Sequence, residues 1–390
     1  MTFEDSLAWL YSTQQFGIKL GLENTRRLLA ALGDPQEKLR FLHVAGTNGK
    51  GSVCAMLDAI LRASGHRTGL YTSPHLIDFR ERIRVDGEKI PASLAAEGLS
   101  VLRGVSEGWD HSPTFFEITT ALALWHFSRE RCGVVVLETG MGGRLDATNV
   151  VHPLVSIITP IAMDHSEWLG DTRAKIAGEK AGIIKPGVPV VSARQEPEAA
   201  LVLADRAAAE GSTIHFVETL VRKREVALRG SHQQQNAALA VAALEAAGLA
   251  VGEVAIRQGL GEVRWPGRFQ IVGERFILDG SHNPHAASHL VKTWREIFEE
   301  EQATVIFGAL ADKDYPAILQ ELSALAREFL FVPVHSQRAV TTAELAAHCR
   351  IPHRQFDSVK SAIAASSGKT LITGSLFLVG EAMSELGIEA

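Results

Sequence analysis

The chain has 390 residues, enough for two or three domains with sizeable buried cores. Hydrophobic residues make up 46% and charged residues 22%, which excludes a disordered or fibrous chain. Lys plus Arg total 39 against 45 Asp plus Glu, a formal charge of −6, so the basic field of a general nucleic-acid binder is missing and any anionic ligand needs a local cluster. Cys54, Cys132 and Cys349 are odd in number and far apart, so a disulfide framework or CxxC metal site is not available, and a reducing cytosol fits. The start, MTFEDSLAWL, has no basic n-region, and no apolar run approaches a membrane span. A cytoplasmic chain with small-molecule partners, and neither nucleic acid nor membrane, is therefore expected.

In chain order, short apolar runs alternate with amphipathic stretches. Strands are expected at 41–45, 68–71, 134–138, 155–159 and 188–192, and helices over 51–64, 115–131, 172–183, 197–210 and 233–247. Such alternation implies βαβ units and a mainly parallel sheet. The strands read as continuous Val/Ile/Leu runs, the pattern of strands buried on both faces. The alternation restarts after Trp265–Gln270, with strands at 276–279, 304–308, 328–333 and 370–373. The expected fold class is α/β: a domain over 1–266 with a mainly parallel sheet, then a smaller, Rossmann-like α/β domain over 269–390. Pro and Gly near 266–268 suit a hinge.

FLHVAGTNGKGSV, residues 41–53, combines an apolar strand, a Gly-rich turn and a helix start. Glycines at 46, 49 and 51 let backbone N–H groups approach phosphate oxygens, and the helix N-terminus adds positive potential. Lys50 can reach the β- and γ-phosphates. The spacing departs from GxxxxGK[ST]: Val44 stands where the first glycine belongs, and Ser52 is one residue late for the usual magnesium ligand. The plain alternative is a Gly-rich turn carrying a solvated lysine.

GVVVLETGMGGRLDATNV, residues 133–150, ends a buried strand at Glu138. Sites in such sheets lie beyond the carboxyl ends of the strands. A carboxylate there can hold Mg²⁺ beside a nucleotide. Asp146 is a second candidate. The alternative is that Glu138 is only the first exposed residue after a core strand.

These residues, with YTSPHL, FRERIRVDG, TFFEITTALA and ETGMGGRLDATN, resemble the folylpolyglutamate synthase/dihydrofolate synthase family of the Mur ligase superfamily. MDHSEWLG, EKAGIIKPG, PGRFQ, LDGSHNPHA, FGALADKD and TGSLFLVGE extend the resemblance, in motif order, over almost the whole chain. The resemblance implies a P-loop ATPase-type central domain and a C-terminal Mur ligase-type domain. It implies an ATP- and Mg²⁺-dependent ligase that joins a carboxylate of dihydropteroate or a folate to L-glutamate through an acyl phosphate. Metals, a phosphate loop and lysines would neutralise the charge as a carboxylate approaches a polyanion.

By the same resemblance, Thr47, Asn48, Gly49, Lys50, Gly51 and Ser52 bind the phosphates, and Asn236, Arg268, Asp279 and His282 contact the nucleotide. Ser73, Glu138 and His165 match magnesium ligands, and two ions are expected. Lys180 matches a lysine that carries a carbamate and serves as a further metal ligand. Lys50, Lys180 and His165 are the expected catalytic residues. Gly21, Leu22, Glu23, Thr114, Phe115, Phe116, Glu117, Leu145, Asp146 and Ala147 match segments that hold the pterin in bifunctional members. The bland alternatives are a helix-capping His165, an exposed helix lysine at 180, a DGSHNP turn that only caps the helix at Pro284, and core packing for Phe115 or Phe116. A muramyl-peptide ligase would carry a UDP-binding domain before the phosphate loop, and only 45 residues precede Gly46. A P-loop switch ATPase would need no second domain supplying Asp279. A monomer is expected.

Overall fold

The computed structural model describes residues 2–16, 21–221, 225–336 and 338–389. Two sheets carry the strands. The first holds β1 (Phe41–Ala45), β2 (Thr68–Tyr71), β3 (Ile83–Val85), β4 (Glu88–Lys89), β5 (Val134–Glu138), β6 (Val155–Ile158), β7 (Val190–Ala193) and β8 (Ile214–Val217), in the order β4-β3-β2-β5-β1-β6-β7-β8. Every pair is parallel except the β2-β3-β4 corner. The second holds β9 (Gln270–Val272), β10 (Phe276–Leu278), β11 (Ala303–Phe307), β12 (Ala326–Phe331), β13 (His353–Gln355) and β14 (Thr370–Thr373), in the order β13-β12-β11-β14-β10-β9. Only β9 runs antiparallel.

β1 lies between β5 and β6, and all five of its residues are buried, His43 among them with its Nε2 2.9 Å from Thr148 Oγ1. Helices cover both faces of the first sheet. On one face Lys50–Ala63, Ser231–Ala246 and Glu253–Glu262 enclose a core with Leu42, Val44, Val134 and Val136. Gly259 lets two of these helices touch, since a Cβ there would stand 2.6 Å from the Ile60 backbone nitrogen. On the other face Ala92–Ser106 and Phe115–Arg129 pack with Phe41, Tyr71 and Leu137. Among the described residues no helix is long and apolar enough to cross a membrane.

Several boundaries differ from expectation. The 188–192 strand starts at Val190, after Pro189, which has no N–H for the ladder. The 155–159 strand ends at Ile158. The 115–131 helix stops at Arg129, and Arg131 turns the chain with φ 55°. The hairpin β3-β4 was not expected. Its strands have three and two residues, too short for a period to show, although Asp86-Gly87 at positive φ is a hairpin turn pair.

Candidate active site

The carboxyl ends of β1, β5 and β6 in the first sheet face that of β10 in the second. One cavity opens there, lined from both lobes. From the first lobe come Gly46 to Ser52, Ser73, Glu138, Asp164, His165, Lys180 and Asn236. From the second come Arg268, Asp279, Gly280, Ser281 and His282. The structure thus gathers every residue expected to touch nucleotide or metal.

The 46–50 turn depends on its glycines. Gly46 has φ 147°, and a Cβ there would meet Thr159 Oγ1 at 1.8 Å. Gly49 has φ 90°, and a Cβ would stand 2.7 Å from Asn236 Oδ1. Lys50 Nζ donates to the Gly46 carbonyl at 3.2 Å and the Thr47 carbonyl at 3.3 Å, so it curls over the turn rather than into solvent. Thr47 Oγ1 bonds both the N–H and the carbonyl of Ala162, tying the loop to the chain after β6. Ser52 is buried and accepts from Gln233 Nε2 at 3.3 Å, and Gln233 in turn accepts from Asn236.

Glu138 is buried, not exposed at a strand end. Among the described residues its carboxylate has one hydrogen-bond donor, the Ser73 N–H at 2.9 Å. Burial raises its pKa, and Lys50 offsets part of that rise. Lys180 is also buried, and its Nζ donates to the Gly46 carbonyl at 2.8 Å. Burial, then the neighbouring Lys50 charge, pulls its pKa down to about 7. An exposed helix lysine is excluded. His165 sits at φ 51° with its Nε2 3.3 Å from Lys313 Nζ, and burial lowers its pKa to about 4.

In the second lobe, Asp279 accepts from the Phe269 N–H at 2.8 Å and the Ser281 N–H at 2.9 Å. His282 donates from Nδ1 to the Gly280 carbonyl at 2.8 Å. Asn283 does cap the Pro284–Phe298 helix, accepting from the Ala286 N–H at 2.9 Å. Its amide also donates to Asn48 Oδ1 at 2.9 Å and Asp164 Oδ2 at 3.2 Å, so capping and site contact coexist. Asn48 reaches His285 Nδ1 at 2.9 Å.

Sequence reasoning missed Asp164 and Lys313, which pair across the lobes at 2.6 Å. Burial would raise the Asp164 pKa, but Lys313, His282 and His165 hold it well below the usual carboxylate range. Both residues follow the carboxyl ends of strands, β6 and β11, so the rule that located Glu138 could have found them.

The expected pterin segments do not line this cavity. Gly21 and Leu22 precede the Glu23–Ala31 helix, where Glu23 is exposed. Thr114 and Glu117 are committed to each other in a capping box. Asp146 is buried and accepts from the N–H groups of Met141 at 2.9 Å and Thr148 at 3.0 Å, capping the Ala147–Val150 turn. Leu145 stands beside that turn, half-buried. Phe116 lies against Tyr71 and over Gly140, whereas Phe115 stacks on Tyr11 with ring centroids 5.7 Å apart. The Glu23–Ala31 helix, the Phe115–Arg129 helix and the Ala147–Val150 turn contact one another, so these segments form a second neighbourhood.

A Gly-rich loop, a buried carboxylate and two lysines within one crevice can hold a nucleoside triphosphate and oppose charge at its terminal phosphate. Residues 44–244 match the Mur ligase middle domain and residues 267–379 match the Mur ligase glutamate ligase domain. The chain is 36% identical to a Bacillus subtilis dihydrofolate synthase/folylpolyglutamate synthase, over 98% of this chain and 99% of that one. It is 37% identical to the Escherichia coli protein of the same name, over 97% of this chain and 94% of that one. Among solved structures, E. coli FolC in complex with DHPP and ADP superposes with TM-score 0.89 at 35% identity, covering 98% of this chain and 97% of that chain. Mycobacterium tuberculosis folylpolyglutamate synthase, complexed with ADP and AMPPCP, superposes with TM-score 0.93 at 30% identity, covering 99% of both. Fold, crevice and full-length likeness agree: the chain belongs to the folylpolyglutamate synthase/dihydrofolate synthase family of ATP-dependent Mur-type ligases.

Proposed function

We propose that this chain adds L-glutamate to dihydropteroate and to reduced folates at the crevice between its lobes, with the lobes divided at 266–268. The observation that carries the reading is the meeting, in one cavity, of the phosphate loop, Glu138, Lys180 and the Asp279 loop. The 46–52 backbone and Lys50 bind the ATP phosphates. Asn236, Arg268, Asp279 and His282 border the rest of the nucleotide. The substrate carboxylate attacks the γ-phosphorus and the bond to ADP breaks. The glutamate amine then attacks the acyl carbon, and phosphate leaves as the amide forms. Closure of the lobes, held by Asp164 and Lys313, keeps water from the acyl phosphate.

The residues fit magnesium. Glu138 is a buried carboxylate with a single N–H donor, and the Ser73 side chain lines the same cavity, so two hard oxygen donors converge. Among the described residues no three His, Cys, Asp or Glu side chains are placed to hold a metal ion by themselves, so oxygens of the nucleotide would supply the remaining ligands. Glu138, Ser73 and His165 would hold the ions, two in all. When bound, they supply positive charge at the β- and γ-phosphates. Lys180 has the low amine pKa that carbamylation needs, and as a carbamate it becomes an anionic oxygen donor. A cytoplasmic monomer accompanies this reading. The free cysteines Cys54, Cys132 and Cys349 suit a reducing compartment, and light scattering checks the oligomeric state.

The deciding experiment is a coupled ADP assay with dihydropteroate and with tetrahydrofolate, each with and without glutamate. Glutamate-dependent ADP release with both acids is expected. Release with the folate alone would reduce the chain to a folylpolyglutamate synthase, and release without glutamate would refute the ligase mechanism.

A further inference from the structure

Arg82 is buried, with 8% of its surface exposed. It leaves the Phe79–Arg82 turn and enters an aromatic wall. Its guanidinium lies 5.1 Å from the Phe115 ring centroid, and Phe115 stacks on Tyr11 and meets Phe79 edge-on. Its Nε donates to His75 Nδ1 at 2.8 Å. Its terminal nitrogens make no hydrogen bond to a described residue, yet neither is sealed from solvent. No carboxylate among the described residues stands within ion-pair distance.

The neighbouring carboxylates are engaged elsewhere. Glu81 accepts the N–H groups of Leu76, Ile77 and Asp78. Asp78 pairs with Arg80 at 2.7 Å, and Glu138 takes the Ser73 N–H. A buried guanidinium with no counter-ion among the described residues carries an uncompensated desolvation penalty, so an anion from outside the chain is the partner the geometry calls for. Because His75 accepts on Nδ1, its proton sits on Nε2, which faces Tyr11 Oη at 3.4 Å. The Tyr11 hydroxyl proton is then free to donate. Four guanidinium N–H groups and a phenol beside an aromatic wall select a planar anion attached near an aryl group.

We propose that Arg82, with Tyr11 and Phe115, receives the second, non-reacting carboxylate of a folyl substrate, the α-carboxylate beside the γ-carboxylate that is extended. This rests on the glutamate-ligase reading above. The reacting carboxylate belongs in the cavity with Lys50 and Glu138, and Arg82 does not line that cavity. The Thr72 N–H donates to the Arg82 carbonyl at 3.1 Å and the next residue, Ser73, lines that cavity, so the two places adjoin and a dicarboxylate can span them. Dihydropteroate has only one carboxylate. Arg82 is therefore a specificity residue that favours folyl substrates over it.

The test compares tetrahydrofolate with its α-carboxamide analogue in the wild type, Arg82→Lys and Arg82→Met. Loss of a charge-assisted pair should lower kcat/KM for tetrahydrofolate about 10- to 100-fold in Arg82→Met, mostly through KM. The wild type should prefer the carboxylate over the carboxamide by a similar factor. Arg82→Met should treat the two alike, and Arg82→Lys should recover part of the preference. The fall with dihydropteroate should be at least tenfold smaller. Ligand-free Arg82→Met should unfold at the same or a higher temperature, which separates lost binding from misfolding. Equal losses with dihydropteroate and folate, or a variant that keeps the wild-type preference, would overturn the assignment. Calorimetric affinities for the same two folyl ligands separate the readings. If the wild type binds folate but glutamate releases no ADP, the ligase reading fails, while the affinity ratio in Arg82→Met still decides the Arg82 site.

Discussion

At Glu138 the ladder of β5 ends inside the protein, and the side chain is held by one N–H from the Ser73 loop. Glu138→Gln keeps the shape and the acceptor but removes the charge a cation needs. Turnover should fall about 100-fold and the Mg²⁺ midpoint should rise. An unchanged Mg²⁺ titration excludes Glu138 as a ligand. Lys180 offers a sharper test. Its amine is buried beside Lys50, and a plain ammonium there would repel both Lys50 and any metal. Under the carbamate reading, Lys180→Arg should be inactive and acetate should partly restore Lys180→Ala. An active Lys180→Arg enzyme would show that charge alone suffices. The residue types at these positions were readable in the sequence. Their burial was not, because a strand end and a helix lysine are both ordinarily wet.

At the scale of elements, the second lobe meets the Ser73 loop through Gly380 in the Leu376–Glu385 helix. A Cβ at Gly380 would stand 2.0 Å from the Leu76 carbonyl oxygen and 2.7 Å from its carbon. Both are backbone atoms, so the loop that carries Ser73 and Arg82 must move. Gly380→Ala should cost about 1–3 kcal/mol of stability and at least tenfold in turnover. Gly104→Ala, in the Ala92–Ser106 helix with open space around it, should be neutral or stabilising by up to about 1 kcal/mol. Denaturant titration and steady-state assays of both variants check this. A Gly380→Ala enzyme indistinguishable from Gly104→Ala would show that the lobes do not depend on that contact. The glycine is visible in TGSLFLVGE, but the carbonyl it makes room for lies some three hundred positions upstream.

For the molecule as a whole, acid stability is governed by histidines that burial keeps neutral. The pKa values of His43 and His75 are pushed down to about 3, and those of His165, His232 and His289 to about 4. An unfolded histidine titrates near 6.5. Between those values the unfolded chain binds protons that the folded chain refuses, so stability falls as pH drops from about 6.5 toward 4. Asp164 acts at lower pH. Its depressed pKa adds stability above the unfolded carboxylate value, and that stability is lost as pH falls below about 4. Calorimetric Tm should therefore decline from pH 6.5 downward, with more than one proton taken up on unfolding near pH 5. A flat Tm between pH 6.5 and 4.5 would contradict this.

Apolar runs and glycine turns determined the central strands β1, β2 and β5, the α/β class and the Gly-rich strand-to-helix turn after β1 without any tertiary information, because a strand buried on both faces and a tight turn of positive-φ glycines each constrain their own residues. The short hairpin β3-β4 and the exposed β13 stayed hidden, since two or three residues carry no period. Within the site, Lys50, Glu138 and Lys180 were readable by type, and Asp164, Lys313 and Arg82 were not singled out. Charged loop residues are usually solvated, and only packing decides which are desolvated and paired. The tertiary structure set Asp164 against Lys313 across the lobes and buried Arg82 with no carboxylate at ion-pair distance among the described residues. Those outcomes depend on contacts between distant segments, and a pairwise interaction across more than a hundred residues leaves no local trace in composition, spacing or hydrophobic period.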